Sequence, residues 1–247
     1  MTGTAAGREG ALLAANPARD ARFTIAERWS DCENFPPGHH LREVEFFHRQ
    51  MNEEVDSLEC CARNLSDFPA ADWALRLGLA RQCADEARHA AMFRRIFESR
   101  GGRIGDYPVL NFQYRIVTSI GSLVGRIAVQ NRSFEAGGLD AIESGIHDAR
   151  GRGDDALVQL FQSQQADEIC HVRLANEWVR IMTDRDPRAV LQIGAALNTA
   201  SKAFAQVMGP QATEGVAYHA DRAGRREAGF TDDEVTMAIE LQASAAR

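Results

Sequence analysis

The sequence predicts an all-α fold, four long helices packed as a bundle with shorter helices after them. Three observations predict it. Apolar residues recur every three or four positions through the central part of the chain, the period of one helix face. Glycine and proline, the residues that punctuate helices, gather at a few places between those stretches. Finally, a short motif occurs twice, as Asp85-Glu86-Ala87-Arg88-His89 and as Asp167-Glu168-Ile169-Cys170-His171. Each places a carboxylate three residues before an imidazole, a spacing that brings the two side chains together on a helix.

Taken in order, residues 1 to about 22 are rich in Ala and Gly without a clear period and are expected to form a flexible tail. Residues 23–247 are then expected to form a single helical domain. After Pro36-Pro37-Gly38, the residues Leu41, Val44, Phe47, Met51, Val55, Leu58 and Ala62 mark a first amphipathic helix, which Asp67-Phe68-Pro69 ends. A second helix is expected from about 70 to 100, stopped by Gly101-Gly102. The short connection makes these two an antiparallel pair. The next connection, roughly 101–115, holds Gly105, Asp106, Tyr107 and Pro108. Fifteen extended residues reach about 50 Å, whereas a 25-residue helix is about 37 Å long, so this segment can cross the bundle end to end. A long helical stretch then leads to Gly151 and Gly153, and a fourth helix is expected over about 154–183. Beyond Pro187 three shorter helices follow, the last opened by the capping box Thr231-x-x-Glu234.

Composition narrows the function classes. With 247 residues, 45% of them apolar, the chain can bury a substantial core. It has no apolar run of membrane-spanning length, and Ala11-Leu12-Leu13-Ala14-Ala15 is too short for a secretory signal core, so a cytoplasmic location is expected. Five cysteines without a C-x-x-C pair read as reduced thiols. A net charge of -7 with mixed signs weighs against nucleic acid, whose binding relies on clustered Lys and Arg.

The repeat is wider than the motif. Gln82, Ala84, Asp85, Glu86 and His89 recur 82 positions on as Gln164, Ala166, Asp167, Glu168 and His171. Each motif is also preceded by an isolated carboxylate, Glu54 lying 32 residues before Glu86 and Glu135 lying 33 before Glu168. Glu53 and Glu59 compete with Glu54, but alignment of Leu58 with Leu139 selects Glu54. One Glu and one Glu-x-x-His from each half form the ligand set of a dinuclear carboxylate site in a four-helix bundle. Such a set is hard and oxygen-rich, and suits two iron ions, or manganese at one or both positions, better than zinc.

Other residues carry weaker signals. Asp85 and Asp167 sit one step, about 100° around the helix, from the neighbouring Glu, and are expected to accept from the imidazole of the opposite motif rather than bind metal. His48 and His147 read as structural. Cys61 and Cys83 lie near the site face as small apolar residues, and Cys170 points away. Gly137 and Gly138 are explained by close helix packing, with a local bulge beside the site as the alternative.

The stretches Ala84–His89, Gly105–Phe112 and Val129–Gly138 resemble a bacterial family known only as a domain of unknown function, family 455, within the ferritin-like diiron-carboxylate superfamily. The resemblance covers roughly residues 40 to 240 and extends distantly to diiron tRNA hydroxylases and diiron oxygenases of small-molecule pathways. It implies a ferritin-like four-helix bundle with additional C-terminal helices, and it matches Glu54, Glu86, His89, Glu135, Glu168 and His171 to the six ligand positions.

The expected function is a non-haem diiron oxygenase or oxidase that uses O₂ to oxidise a small organic substrate. Met51, Leu58, Ala90, Phe93, Leu139, Phe161 and Ala175 would line the site. Electrons would come from an external donor, since the chain carries no Cys₄ cluster motif and no nucleotide-binding glycine fingerprint. The alternative is a ferroxidase or iron-storage protein with the same ligands. A radical-generating subunit is disfavoured, because Tyr107, Tyr114 and Tyr218 are not placed beside the ligands by the sequence. A homodimer is compatible with all of these.

Overall fold

The computed structural model describes residues 12–209 and 220–245. Four long helical stretches form the bundle. Helix α1 (Arg42–Asp67) and helix α2 (Trp73–Ser99) are the first antiparallel pair. Pro69 closes the first, and Gly101 the second: at φ +84 it takes the left-handed turn that lets Gly102 N–H reach back to the Phe97 carbonyl at 3.1 Å. Both ends fall where the sequence placed them.

The third stretch departs from expectation. In place of one long helix after residue 115, the chain forms a short helix α3 (Phe112–Thr118), a break, and then helix α4 (Leu123–Val129), which Ser122 caps by accepting from Gly125 N–H. Helix α4 runs into a π-helical segment, Gln130–Glu135, and continues as helix α5 (Ala136–Gly151). The break at 119–122 lets Ile116, Val117 and Ile120 turn into a core shared with α7, which one straight helix would not permit. Helix α6 (Asp155–Arg185) returns antiparallel, with Asp154 accepting from Leu157 N–H as its cap.

The crossover between α2 and α3 is pinned by one isolated parallel bridge, Ile25 with Val109. In the segment expected as an N-terminal tail, residues 1–11 lie outside the described residues. Arg19 reaches α1, where Asp56 and Glu59 each accept from it at 2.7 Å. Among the described residues three further helices follow, α7 (Ala189–Met208), α8 (Arg222–Glu227) and α9 (Asp232–Ala245). Helix α7 lays Ala196, Ala200, Ala203 and Val207 into the core beside α3 and α4. The Thr231 capping box is formed in both directions, Thr231 N–H donating to Glu234 at 2.8 Å and Glu234 N–H to the Thr231 hydroxyl at 3.3 Å. The structure is a packed helical bundle, and no helix of the described residues is long and apolar enough to cross a membrane.

Two of the apolar clusters lie on either side of a polar layer in the bundle. One holds Phe47, Met51, Phe93, Ile142 and Phe161; the other holds Cys61, Leu75, Leu79, Ile127 and Trp178. Along α2 the order is Leu75 and Leu79, then Gln82, Glu86 and His89, then Phe93, and α6 runs through the same layers in reverse. A fully buried side chain such as Phe93 contributes about 1.5–3 kcal/mol, so the two clusters hold together a middle layer that is itself costly to bury.

Candidate metal centre

That layer contains all six of the expected ligand residues. Glu54 comes from α1, Glu86 and His89 from α2, Glu135 from the last position of the π-segment, and Glu168 and His171 from α6. None is more than 7% exposed. Their ligand atoms form two overlapping groups, Glu54, Glu86, His89 and Glu168, and Glu86, Glu135, Glu168 and His171, within each of which all lie within 4.8 Å of one another. Glu86 and Glu168 belong to both. Either group can hold a metal ion. The competitors are elsewhere: Glu53 pairs with Arg49 and accepts from Gln50, and Glu59 pairs with Arg19.

Each imidazole faces two ways. His89 Nδ1 lies 3.3 Å from both Glu54 Oε2 and Glu86 Oε2 and 3.4 Å from Glu168 Oε1. His171 Nδ1 lies 3.2 Å from Glu168 Oε2 and 3.5 Å from Glu86 Oε1. The Nε2 atoms point outward, that of His89 to Asp167 at 3.2 Å and that of His171 to Asp85 at 3.3 Å. Each aspartate therefore meets the imidazole of the opposite motif, and each is backed by an arginine of α2, Asp167 by Arg88 and Asp85 by Arg81.

Four buried carboxylates require positive charge, and without metal protons supply it. Burial opposes charge on His89, yet the hydrogen-bonded carboxylates of Glu54 and Glu86 prevail and raise it to about 10. Burial likewise opposes charge on His171, which Glu168, Asp85 and Glu86 nevertheless raise well above the usual histidine range. Burial holds Glu54 well above the ordinary carboxyl range, and burial with the negative charge of Glu168 and Glu86 raises Glu135 to about 8. Glu86 is pushed up by burial but ends lower than usual, because His89 and His171 stabilise its charge. Asp85 is lowered by its bond to His171.

Sequence reading left the carboxamides without a role. Gln82 Nε2 donates to Glu135 Oε1 at 2.6 Å and to Glu86 Oε1 at 3.1 Å, while Gln164 Nε2 donates to Glu54 Oε1 at 2.8 Å. Their place in the 82-residue repeat was the available signal. Gln130, Asn131 and Ser57 also reach Glu135; the first two lie in the stretch Val129–Gly138 that carries the family resemblance, which gave them no role, and Ser57 had no signal. The bulge weighed at Gly137 and Gly138 lies instead before Glu135, and close packing does not explain those glycines: a Cβ on either would meet nothing within 4 Å.

The donor chemistry fits divalent ions. Both Nδ1 atoms and eight carboxylate oxygens belong to one buried layer, and the buried acceptors Gln130 Oε1, Asn131 Oδ1 and Gln164 Oε1 have no partner. Such acceptors suit the waters that hard ions carry. Around the layer, Met51, Phe93 and Phe161 share one apolar cluster, Leu139 sits in another with Val172, Ala175 is buried, and Leu58 and Ala90 are half-buried.

The remaining candidates lie outside the layer. His48 is buried among Phe23, Phe97 and Tyr107, accepts from Gly105 N–H at Nε2, and is lowered by burial to about 4. His147 is exposed. Cys61 and Cys83 pack in the core between α1 and α2. Tyr107 stands against His48 and Phe35, Tyr114, within α3, packs against the core shared with α7, and Tyr218 lies outside the described residues.

Comparison with curated proteins and with solved structures finds no match. A family model described as "Protein of unknown function (DUF455)" matches residues 3–236. The chain, with its buried double carboxylate and histidine cluster, belongs to that family.

Proposed function

We propose that this protein is a diiron oxidoreductase of the ferritin-like class, which uses O₂ to oxidise a small organic molecule. The observation that carries the reading is the overlap of the two clusters, since sharing Glu86 and Glu168 is what two ions held side by side require. Glu54 and His89 would complete one position, Glu135 and His171 the other. When bound, two ferrous ions supply O₂ with two electrons together, the chemistry needed to attack a strong bond.

The chain's own residues do the rest. Asp167 and Asp85 face Nε2, so that once ions displace the second proton each imidazole would keep its N–H on the aspartate side and turn Nδ1 inward to the metal. Phe47, Met51, Phe93, Ile142 and Phe161 close one side with apolar surface that excludes water from the reacting groups. The carboxylates of Asp85 and Asp167 are partly exposed and are held by Arg81 and Arg88, so each carboxylate could pass a proton between its imidazole and solvent without opening the core. An external donor would return the electrons, and manganese could replace iron at either position. The ligands, and the lack among the described residues of a helix able to cross a membrane, are compatible with a cytoplasmic enzyme.

The test is to load the protein anaerobically with ferrous iron, mix it with O₂, and follow oxygen uptake, spectrum and products with candidate metabolites. The expected result is about two irons per chain and a single-turnover product. Should oxidation yield only ferric mineral in a cage-sized assembly, with no metabolite changing its course, the storage reading replaces this one.

A further inference from the structure

The two halves of the centre are not held alike. Glu135 meets four neutral donors: Oε1 accepts from Gln82 at 2.6 Å, Gln130 at 3.1 Å and Ser57 at 3.3 Å, and Oε2 accepts from Asn131 at 2.9 Å. Its counterpart Glu54 accepts from one neutral side chain, Gln164, at Oε1; its Oε2 leans on His89 Nδ1.

Backbone geometry is part of the cause. Four and five residues before Glu54 stand Gln50 and Arg49, both hydrogen-bond donors, and in the regular helix α1 both bond to Glu53 instead, at 2.7 and 3.3 Å. In a regular helix the position five residues back is turned about 140° away. The π-segment Gln130–Glu135 closes its turn over five residues, so both Gln130 and Asn131 face Glu135. Asn131 in turn donates to Gln82 Oε1 at 2.8 Å, which ties the clamp to α2.

A carboxylate satisfied by neutral donors stays in place whether or not an ion is present. Glu54, in contrast, rests on the very nitrogen that would bind the ion, and that contact must be given up before either group can coordinate. Glu135 Oε1 already serves three donors, so coordination falls to Oε2. We propose that the two positions fill in order, the Glu86, Glu135, Glu168 and His171 position first, with Ser57, Gln82, Gln130 and Asn131 as positioning residues, and that Glu54 is the ligand that reorganises as the second ion enters. The inference rests on the two-metal reading above.

The full-length chain, stripped of metal, would be titrated with Mn²⁺ alone, followed by calorimetry and by electron paramagnetic resonance. The first equivalent should give the spectrum of an isolated ion and the second should convert it to that of a coupled pair. Asn131→Ala should weaken the first step by about 10-fold and Gln164→Ala only the second. A coupled-pair spectrum from the first addition onward, or a first step weakened by Gln164→Ala and not by Asn131→Ala, overturns the inference while leaving two-metal binding intact. No Mn²⁺ binding at all overturns the two-metal reading and this inference together. The wild-type titration decides whether the positions fill one after the other even if a variant fails to fold, and the nitrogen hyperfine coupling of the first ion, lost in His171→Ala and kept in His89→Ala, decides which is first.

Discussion

His89 of α2 places Nε2 3.2 Å from Asp167 of α6, and His171 of α6 returns the arrangement with Asp85 of α2. The exchange is general. Gln82 of α2 serves Glu135 in the second half of the chain, and Gln164 of α6 serves Glu54 in the first. Each half of the repeat thus supplies the supports for the other half's ligands, so neither half completes a position alone. The two α-hairpins are joined by their polar layer as well as by the apolar clusters on either side of it.

The first expectation follows from that exchange. Asp167→Asn and Asp85→Asn keep a hydrogen-bond acceptor but lose the charge that favours a proton on Nε2. Each should lower metal affinity by a factor of about 10 to 100, and each should act on the imidazole across the bundle. Competition against a calibrated chelator measures the affinity, and nitrogen hyperfine couplings report which imidazole changed. Unaltered affinity in both variants would show that the aspartates only solvate the surface.

Cluster membership makes a second expectation. Glu86 and Glu168 belong to both groups, Glu54 and Glu135 to one each. Glu86→Ala or Glu168→Ala should therefore abolish binding of both ions, whereas Glu54→Ala or Glu135→Ala should leave about one per chain. Metal analysis of each variant, with circular dichroism to show that it has folded, separates the two classes. Equal losses across all four would mean that the shared carboxylates do not bridge.

Much of this was legible in the sequence because helical periodicity and an exact repeat are local signals. Glu86 and His89, or Glu168 and His171, are neighbours by spacing alone, and the repeat carried Gln82, Gln164, Asp85 and Asp167 with them. Pro69 and Gly101 announced helix ends for reasons that need no tertiary context. The π-segment was legible only as the local bulge offered as an alternative for Gly137 and Gly138; its place, ending at Glu135 with Phe134 turned into the α3 and α7 core, was not. The break at 119–122 is of the same kind, since the partner that rewards it, α7, lies some eighty residues on in the chain. Gly137 and Gly138 drew attention because glycine is conspicuous inside a helix, yet the structure supplies no packing reason for them.

The crossover segment gives a stability expectation with an internal control. Gly105 has φ +95, its N–H donates to His48 Nε2 at 3.0 Å, and a Cβ there would fall 2.3 Å from the Arg22 carbonyl oxygen. Gly101 has a similar φ of +84, but a Cβ would meet nothing within 4 Å. Gly101→Ala should cost about 1–2 kcal/mol of left-handed strain. Gly105→Ala adds a backbone clash and should be the more damaging, with a larger fall in melting temperature at unchanged metal stoichiometry. Equal melting temperatures would mean that the Arg22 segment moves aside freely.

The last expectation concerns pH. Glu135 is raised from 4.5 to about 8 and His89 from 6.5 to about 10 in the metal-free protein. A raised group contributes stability that is complete below its unfolded value and is lost as pH rises through its folded value. Metal-free protein should therefore lose stability from about pH 4.5 to 8 through Glu135 and from about 6.5 to 10 through His89. Glu86, which is lowered, works in the opposite sense, and its contribution is lost only as the solution turns acid. Bound ions would replace the protons on Glu135 and His89, so the loaded protein escapes the alkaline loss and loading releases protons. The melting temperatures of loaded and metal-free protein should diverge between about pH 5 and pH 9, and Mn²⁺ added in weak buffer near neutrality should acidify the solution. If the gap stays constant across that range and no protons appear, the ions are not taking the place of protons in this layer.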